Sequence, residues 1–209
     1  MLEHIPAWLG KALSGARAGM EKVAVARPDL AVADTTEGFG TLVLTSPAFA
    51  DGARLPERFT ADGEGVSPPL CWQAPPAGTA RLALLVEDAD APAPQPLVHA
   101  LLPALPAEAG MLAEGVIGGE HRPGPQAGRN SFGAHGWLPP DPPTGHGTHR
   151  YVFQLFALDA GAPELDTSAG RTVLLAAMTG HVLAAGLLVG TYSREEEAPV
   201  GPVGAAATA

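Results

Sequence analysis

"RLALLVEDADAPAPQPLVHALLPAL" occupies residues 81–105. The run "RLALLV" has no polar alternation, so a strand formed there is covered on both faces. We read 81–90 as that strand and 96–105 as a second, carrying one histidine, His99. Between them stand Asp88, Asp90 and three prolines at 92, 94 and 96, which end one strand before the next begins. Outward from this pair, "HRYVFQLFALD" (149–159) is a further strand, rich in aromatic and β-branched residues. "GTLVLTS" (40–46) and "AAGLLVGTYSR" (184–194) read as two more. "TSAGRTVLLAAMTGHVLA" (167–184) has helical spacing, with Thr167 or Ser168 as cap and Gly186 just past its end. The strands at 81–88, 97–103 and 149–158 should be neighbours in one sheet.

Composition agrees with a loop-rich, mainly β chain. Of 209 residues, 48 are Gly or Pro, while charged residues are 16% and hydrophobic ones 46%. Aromatics are only 5%, so Ala, Val and Leu fill most of the core. A net charge of −10 repels a phosphate backbone, which argues against general nucleic-acid binding. The single cysteine, Cys71, excludes an internal disulfide or a Cys-rich metal site and reads as small core filler. No apolar run approaches 18 residues, so no membrane span is expected. The first 22 residues lack the order of a signal peptide, and the expected location is cytoplasmic.

Three organisational units follow: an N-terminal helix and linker (1–39), a β domain (40–194), and an acidic, then Ala/Gly-rich, disordered tail (195–209). Ile5, Trp8, Leu9, Ala12, Leu13, Ala16 and Met20 repeat at helical spacing over 5–20. That apolar stripe predicts a helix with Ile5, Trp8, Leu9 and Leu13 buried, docked on its own domain, on a partner or in a homodimer, with a membrane-surface helix as a further reading. The segment 115–147 is long and full of Gly, Pro and His, a pattern of functional loops.

Residues i and i+2 of a strand share a face, so Asp88 and Asp90 are expected side by side at the end of theirs. Two close carboxylates repel and call for a proton, a cation or a hydroxyl donor between them. They also read as solvated turn formers ahead of Pro92. The same alternation puts His149 and Tyr151 on one face, where both can donate to an anion, and Arg150 on the other, where it pairs with an acid. His99 adds a third donor, or is a satisfied core histidine. Zinc held by His135, His146 and His149 with an Asp is a weaker option, because Pro142 and Pro143 break any ligand-bearing helix. No GxSxG, P-loop or GxGxxG is present.

"DADAP" (88–92), a strand histidine and "GHGTHRYVFQLFALD" (145–159) together resemble the phosphatidylethanolamine-binding protein family, also called Raf kinase inhibitor-like, in its bacterial branch. "FTADGEGVSPPLCW" (59–72), "NSFGAHGWLPP" (130–140) and "GTYSR" (190–194) extend the resemblance over about 40–194. It implies a β-sandwich with a large central antiparallel sheet and a helix near the C-terminus. It also implies a small pocket accepting phosphate groups, with Asp88, Asp90, His99, His149 and Tyr151 as binding residues and a Pro-rich wall near Pro139–Pro142 that brings in Asp141. The family's usual "DPD" is "DAD" here, with Ala89, and Val98 and Ala100 flank His99 where aromatics are usual. The expectation is therefore a non-catalytic, regulatory protein for a small anionic or phosphorylated ligand, with no cofactor and no metal. One alternative is an enzyme using His149 and Asp90 as acid and base, although no activated nucleophile is visible. Another is an interaction protein acting through its N-terminal helix.

Overall fold

The computed structural model describes residues 7–31, 40–118 and 124–194. A short helix α1 (Ala7–Leu13) comes first. Strands β1 (Gly40–Thr41), β2 (Leu44–Thr45), β3 (Leu70–Trp72), β4 (Arg81–Asp88), β5 (Leu97–Leu105), β6 (Gly110–Leu112) and β7 (His149–Leu158) follow, then helix α2 (Arg171–Met178) and strand β8 (Val182–Tyr192). Five strands form the main sheet in the order β1-β8-β7-β4-β5, and β2-β3-β6 form a second sheet. All pairings are antiparallel except β1 with β8. The protein is thus mainly β, and β4, β5 and β7 are neighbours as their apolar runs require.

β4 is buried along both faces. Leu82, Leu84 and Val86 look into the core between the two sheets, with Leu70, Trp72, Leu102 and Phe153. Ala83 and Leu85 look the other way, into a second core with Leu30, Leu174, Leu175 and Met178. Each fully buried leucine contributes roughly 1.5–3 kcal/mol. The second core covers the outer face of the sheet, and the N-terminal segment is part of that cover. Val23, Ala24 and Leu30 have no exposed surface, and Ala31 pairs in parallel with Val182. Residues 28–31, read as linker, are therefore packed; the rest of that linker, Ile5 and the 195–209 tail lie outside the described residues.

Several boundaries move, each for a local reason. The strand expected at 40–46 splits into β1 and β2, which belong to different sheets. At the crossing the backbone presses on Gly186, where a Cβ would meet the Leu42 carbonyl at 2.5 Å. The helix expected over 167–184 is confined to Arg171–Met178. Its cap position is Gly170, while Ser168 turns back onto Asp166. Gly180, at φ 75°, ends it in the left-handed region, long before Gly186. The helix expected over 5–20 stops at Leu13, and Trp8 is 68% exposed rather than buried, with Leu9 and Leu13 only half-buried.

The Gly/Pro-rich segment after residue 124 has little regular structure but is tied to the free edge of β5. Gly128, Ser131 and Leu138 donate backbone N–H bonds to the carbonyls of Leu101, Val98 and His99. The Ser131 hydroxyl accepts from the Val98 N–H. The Asn130 carboxamide closes the turn by accepting from the N–H groups of Phe132 and Ala134. Trp137 stacks on Phe153 with ring centroids 6.0 Å apart.

Candidate functional site

β4 pairs Asp88 with Tyr151 of β7 on one side and with Leu97 of β5 on the other. Between β4 and β5 the register slips: Val86 opposes Ala100, and Glu87 opposes Val98. His99 is the extra residue of this bulge, a device that re-aims a side chain at a strand end. Its ring meets Tyr151 edge-on at 5.0 Å, and the His149 ring lies nearly parallel to Tyr151 at 6.4 Å.

The two imidazoles border a cavity of about 270 Å³. Its polar lining is Asp88, His99, Asp141 and His149. Its apolar lining includes Leu97, Leu138, Pro139 and Pro142, with Phe132 exposed at the rim. The structure therefore brings Asp88, His99, Asp141 and His149 around one space, with Tyr151 packed behind both imidazoles. Asp90 is different. The strand ends at Asp88, the alternation lapses in the turn, and Asp90 is not part of the lining. Its carboxylate accepts from Arg150 at 2.7 and 2.8 Å and pairs with Arg17 at 2.8 Å. Burial alone would raise its pKa, but the hydrogen bonds from Arg150 and Arg17 bring it down to about 2. Arg150 thus holds an acid, as its side of the strand requires, and that acid is Asp90.

His149 also differs from the expected anion donor. Its Nδ1 lies 2.7 Å from Asp88 Oδ2, and its Nε2 lies 2.7 Å from His146 Nδ1. Both nitrogens are taken by the protein. The Asp88 Oδ1 accepts from the Asp90 N–H at 2.8 Å. Asp141 pairs with Arg194 at 2.5 Å, and Arg194 also grips Asp62. Burial would lower the Arg194 pKa, but the bonds to Asp62 and Asp141 raise it, so this guanidinium is a permanent cation in the wall. Each of the three acids near the cavity therefore has a basic partner.

Among the described residues, His99 Nε2 and the Tyr151 hydroxyl are buried with neither a hydrogen bond nor an ion pair, whereas Asp141 Oδ1 has Arg194. His99 Nδ1 is 2.7 Å from the Leu138 carbonyl, which can only accept, so Nδ1 carries the hydrogen. Burial pushes the His99 pKa down, with the Asp88 charge pulling the other way, and the ring is neutral. Its Nε2 is then a bare acceptor. Burial, followed by the charges of Asp88 and Asp141, raises the Tyr151 pKa well above its ordinary value, so the phenol keeps its proton. Among the described residues no group of three or more His, Cys, Asp or Glu side chains is placed to hold a metal ion. His135, a candidate zinc ligand, is bonded through Nδ1 to the Ala127 carbonyl instead.

Sequence reasoning passed over a second charged cluster on the opposite face of the sheet. Glu87, fully buried, accepts from Arg171 Nε at 2.5 Å, Gln154 Nε2 at 2.7 Å and the Ala24 N–H at 2.8 Å. Gln154 accepts from the Val25 N–H, and Arg171 donates to the Lys22 carbonyl. A lone Gln inside "YVFQLF" was the available signal, since a polar group in a buried strand needs a partner.

Comparison with known proteins bears on this geometry. Residues 45–193 match the model of the family described as phosphatidylethanolamine-binding protein. A UPF0098 protein of Methanothermobacter thermautotrophicus is 40% identical over 152 residues, covering 72% of this chain and 98% of that protein. A solved structure described as a homolog of the same family, CT736 of Chlamydia trachomatis, is 32% identical, with a TM-score of 0.62 over 74% of this chain and 99% of that one. YbcL of E. coli, described as a new member of the mammalian PEBP family, shares the fold, with a TM-score of 0.65 over 74% and 99% and an identity of 24%. With its family match over most of the chain and its likeness to archaeal and bacterial relatives, the Chlamydia homolog among them, this chain belongs to the phosphatidylethanolamine-binding protein family, on its bacterial branch.

Proposed function

We propose that the protein binds a small phosphate-type anion in this cavity, without covalent chemistry, and that the anion arrives with a proton. The observation that carries the reading is the pair of buried, unpartnered polar atoms, His99 Nε2 and the Tyr151 hydroxyl, beside acids that already have basic partners. A fully ionised anion has only acceptors and would meet the His99 Nε2 lone pair unfavourably. A phosphate O–H donates to that lone pair, or the ring takes up a proton and becomes the donor. The Tyr151 hydroxyl donates to a second oxygen. The cavity, about 270 Å³, is near the small end of ligand sites, and its proline and leucine walls suit a short apolar substituent on the anion.

The reading is non-catalytic because the cavity histidine paired with a carboxylate, His149, spends its other nitrogen on His146 rather than on a nucleophile. Titration calorimetry with phosphate and with sulfate, at pH 6 and pH 8 in buffers of different ionisation heat, is the test. Binding is expected to be about tenfold tighter at pH 6, the order of one hydrogen bond to a charged group. Sulfate, which brings no proton of its own, is expected to draw one from the buffer through His99. Equal affinity at both pH values, or a His99→Ala protein that binds as well as the parent, overturns the proposal.

A further inference from the structure

The residues that precede the family's matched region, 45–193, close the back of the cavity wall. His146 Nε2 lies 2.9 Å from the Leu13 carbonyl and 3.2 Å from the Ala16 carbonyl. Arg17 donates to the carbonyls of Thr148 and His146, and the N–H groups of Ala18 and Gly19 donate to the carbonyls of Ala91 and Ala89. A continuous chain of contacts therefore runs from Asp88 in the cavity through His149 and His146 to backbone carbonyls at residues 13–16.

Counting hydrogens along this chain gives an unusual result. Each of its three links needs one hydrogen. Carbonyls only accept, so His146 Nε2 carries one. A carboxylate and two neutral imidazoles supply two in all, and the third link is left short. All three bonds form together only when the chain holds one extra proton. Burial first, then the neighbouring His149 and Arg17, push the His146 pKa below its ordinary value, so its ring is the less favourable place for a further proton. The extra proton therefore lies on the Asp88–His149 side, where it cancels the carboxylate charge. Without it, His149 keeps Nδ1–H toward the Asp88 carboxylate and presents a lone pair to the His146 Nδ1 lone pair at 2.7 Å. His146 then has to turn, and it loses the carbonyls of Leu13 and Ala16.

We propose that His146 is a positioning residue that couples the proton content of the ligand cavity to the docking of residues 13–19. Loss of the proton to solvent loosens this segment, and an anion in the cavity, which favours the added positive charge, tightens it. By linkage the docked segment strengthens anion binding to the same degree. The charged and titratable groups around the chain are Arg17 and Glu21 from the N-terminal segment, Asp90 and Arg150, His99 and Tyr151, and Asp141 with Arg194. Arg17 and Arg150 are both held by Asp90, so the proton is the variable charge. The anion half of the proposal rests on the ligand-binding reading above; the proton half does not.

Amide hydrogen exchange on the whole chain, corrected for the intrinsic pH dependence of exchange, is the test. Protection of Ala16, Ala18 and Gly19 relative to Val152 and Phe153 is expected to fall about tenfold from pH 6 to pH 9, the order of one lost hydrogen bond. His146→Phe removes the pH response, and sulfate at pH 8 restores protection in the parent but not in this variant. Imidazole nitrogen chemical shifts of the parent provide a readout that needs no variant. At pH 6 both His149 nitrogens are expected to be protonated or hydrogen-sharing, and His146 Nδ1 unprotonated. A flat protection ratio, a His146→Phe protein with the parent's pH response, or a His149 ring with an ordinary neutral pattern at pH 6 overturns the proposal. If sulfate binds by calorimetry without changing protection, the coupling to ligand is wrong. If sulfate does not bind at all, the ligand-binding reading fails, and the pH response alone decides the proton half.

Discussion

Glu87 and Asp88 are consecutive, yet they belong to two clusters of opposite character on the two faces of one sheet. On the outer face both Glu87 oxygens are engaged, by an arginine, a glutamine and a backbone amide, and no buried side-chain atom of Glu87, Gln154 or Arg171 lacks a partner. On the inner face Asp88 stands among aromatic and imidazole rings, two of which carry unpartnered atoms. A buried charge that is completely satisfied acts as a fastening, here joining the N-terminal segment and α2 to the sheet. A buried polar group left short costs stability and persists where something else completes it.

The contrast is broken most severely from the outer face. Arg171→Met leaves the Glu87 carboxylate buried without its cation and is expected to cost about 3–5 kcal/mol in urea denaturation. The folded fraction keeps its sulfate affinity. If stability is unchanged, the Glu87 cluster is not a fastening. Tyr151→Phe inverts the pattern. Sulfate affinity is expected to drop about tenfold while stability stays within about 1 kcal/mol of the parent, since an unpartnered hydroxyl is removed. A large loss of stability with unchanged binding would show that the two faces are alike.

Acid separates the clusters next. The Asp90 pKa is depressed in the folded protein, so its contribution to stability is present above the ordinary carboxylate value of 3.8 and is lost as pH falls through about 2. Asp90→Asn is expected to flatten the acid limb of the stability curve between pH 4 and pH 2. His99 is held neutral, so the unfolded chain binds its proton first, and stability falls as pH drops below about 6.5. Saturating sulfate is expected to offset that second loss only, as thermal melts in both conditions will read. The smallest effect belongs to the rim. Phe132→Ala, at a 58% exposed position, is expected to leave stability within about 0.5 kcal/mol. It leaves inorganic phosphate binding alone and weakens butyl phosphate a few-fold.

How much of this was legible in the sequence depends on the reach of each signal. β4, β5 and β7 were readable because apolar runs with no polar alternation must be covered on both sides. That His149 and Tyr151 share a face followed from alternation along β7, whereas the grouping of Asp88 and His99 with them rested on the family resemblance, since His99 sits at a register slip. Asp90 escaped because alternation holds only while the chain is a strand, and β4 ends two residues earlier. The ends of α2 escaped because Gly180, not Gly186, takes the left-handed turn. The N-terminal stripe misled because α1 stops at Leu13 rather than running on to Met20, and Trp8 faces outward. His146 was weighed as a metal ligand, since no local pattern announces a contact with backbone 130 or more residues away.

The Pro-rich wall of the cavity also has a role in keeping molecules apart. An outer strand with free N–H and C=O groups is a template on which another chain can add itself. β5 is such a strand, nine residues long and mostly buried, and the bonds from Gly128, Ser131 and Leu138 occupy its outward side. Those residues flank or belong to the stretch that shapes the cavity. Substitutions that reshape ligand preference there are made on the guard of an aggregation-prone edge. Variants that lift the wall from β5 are expected to self-associate through that strand on warming, before the rest of the sheet melts.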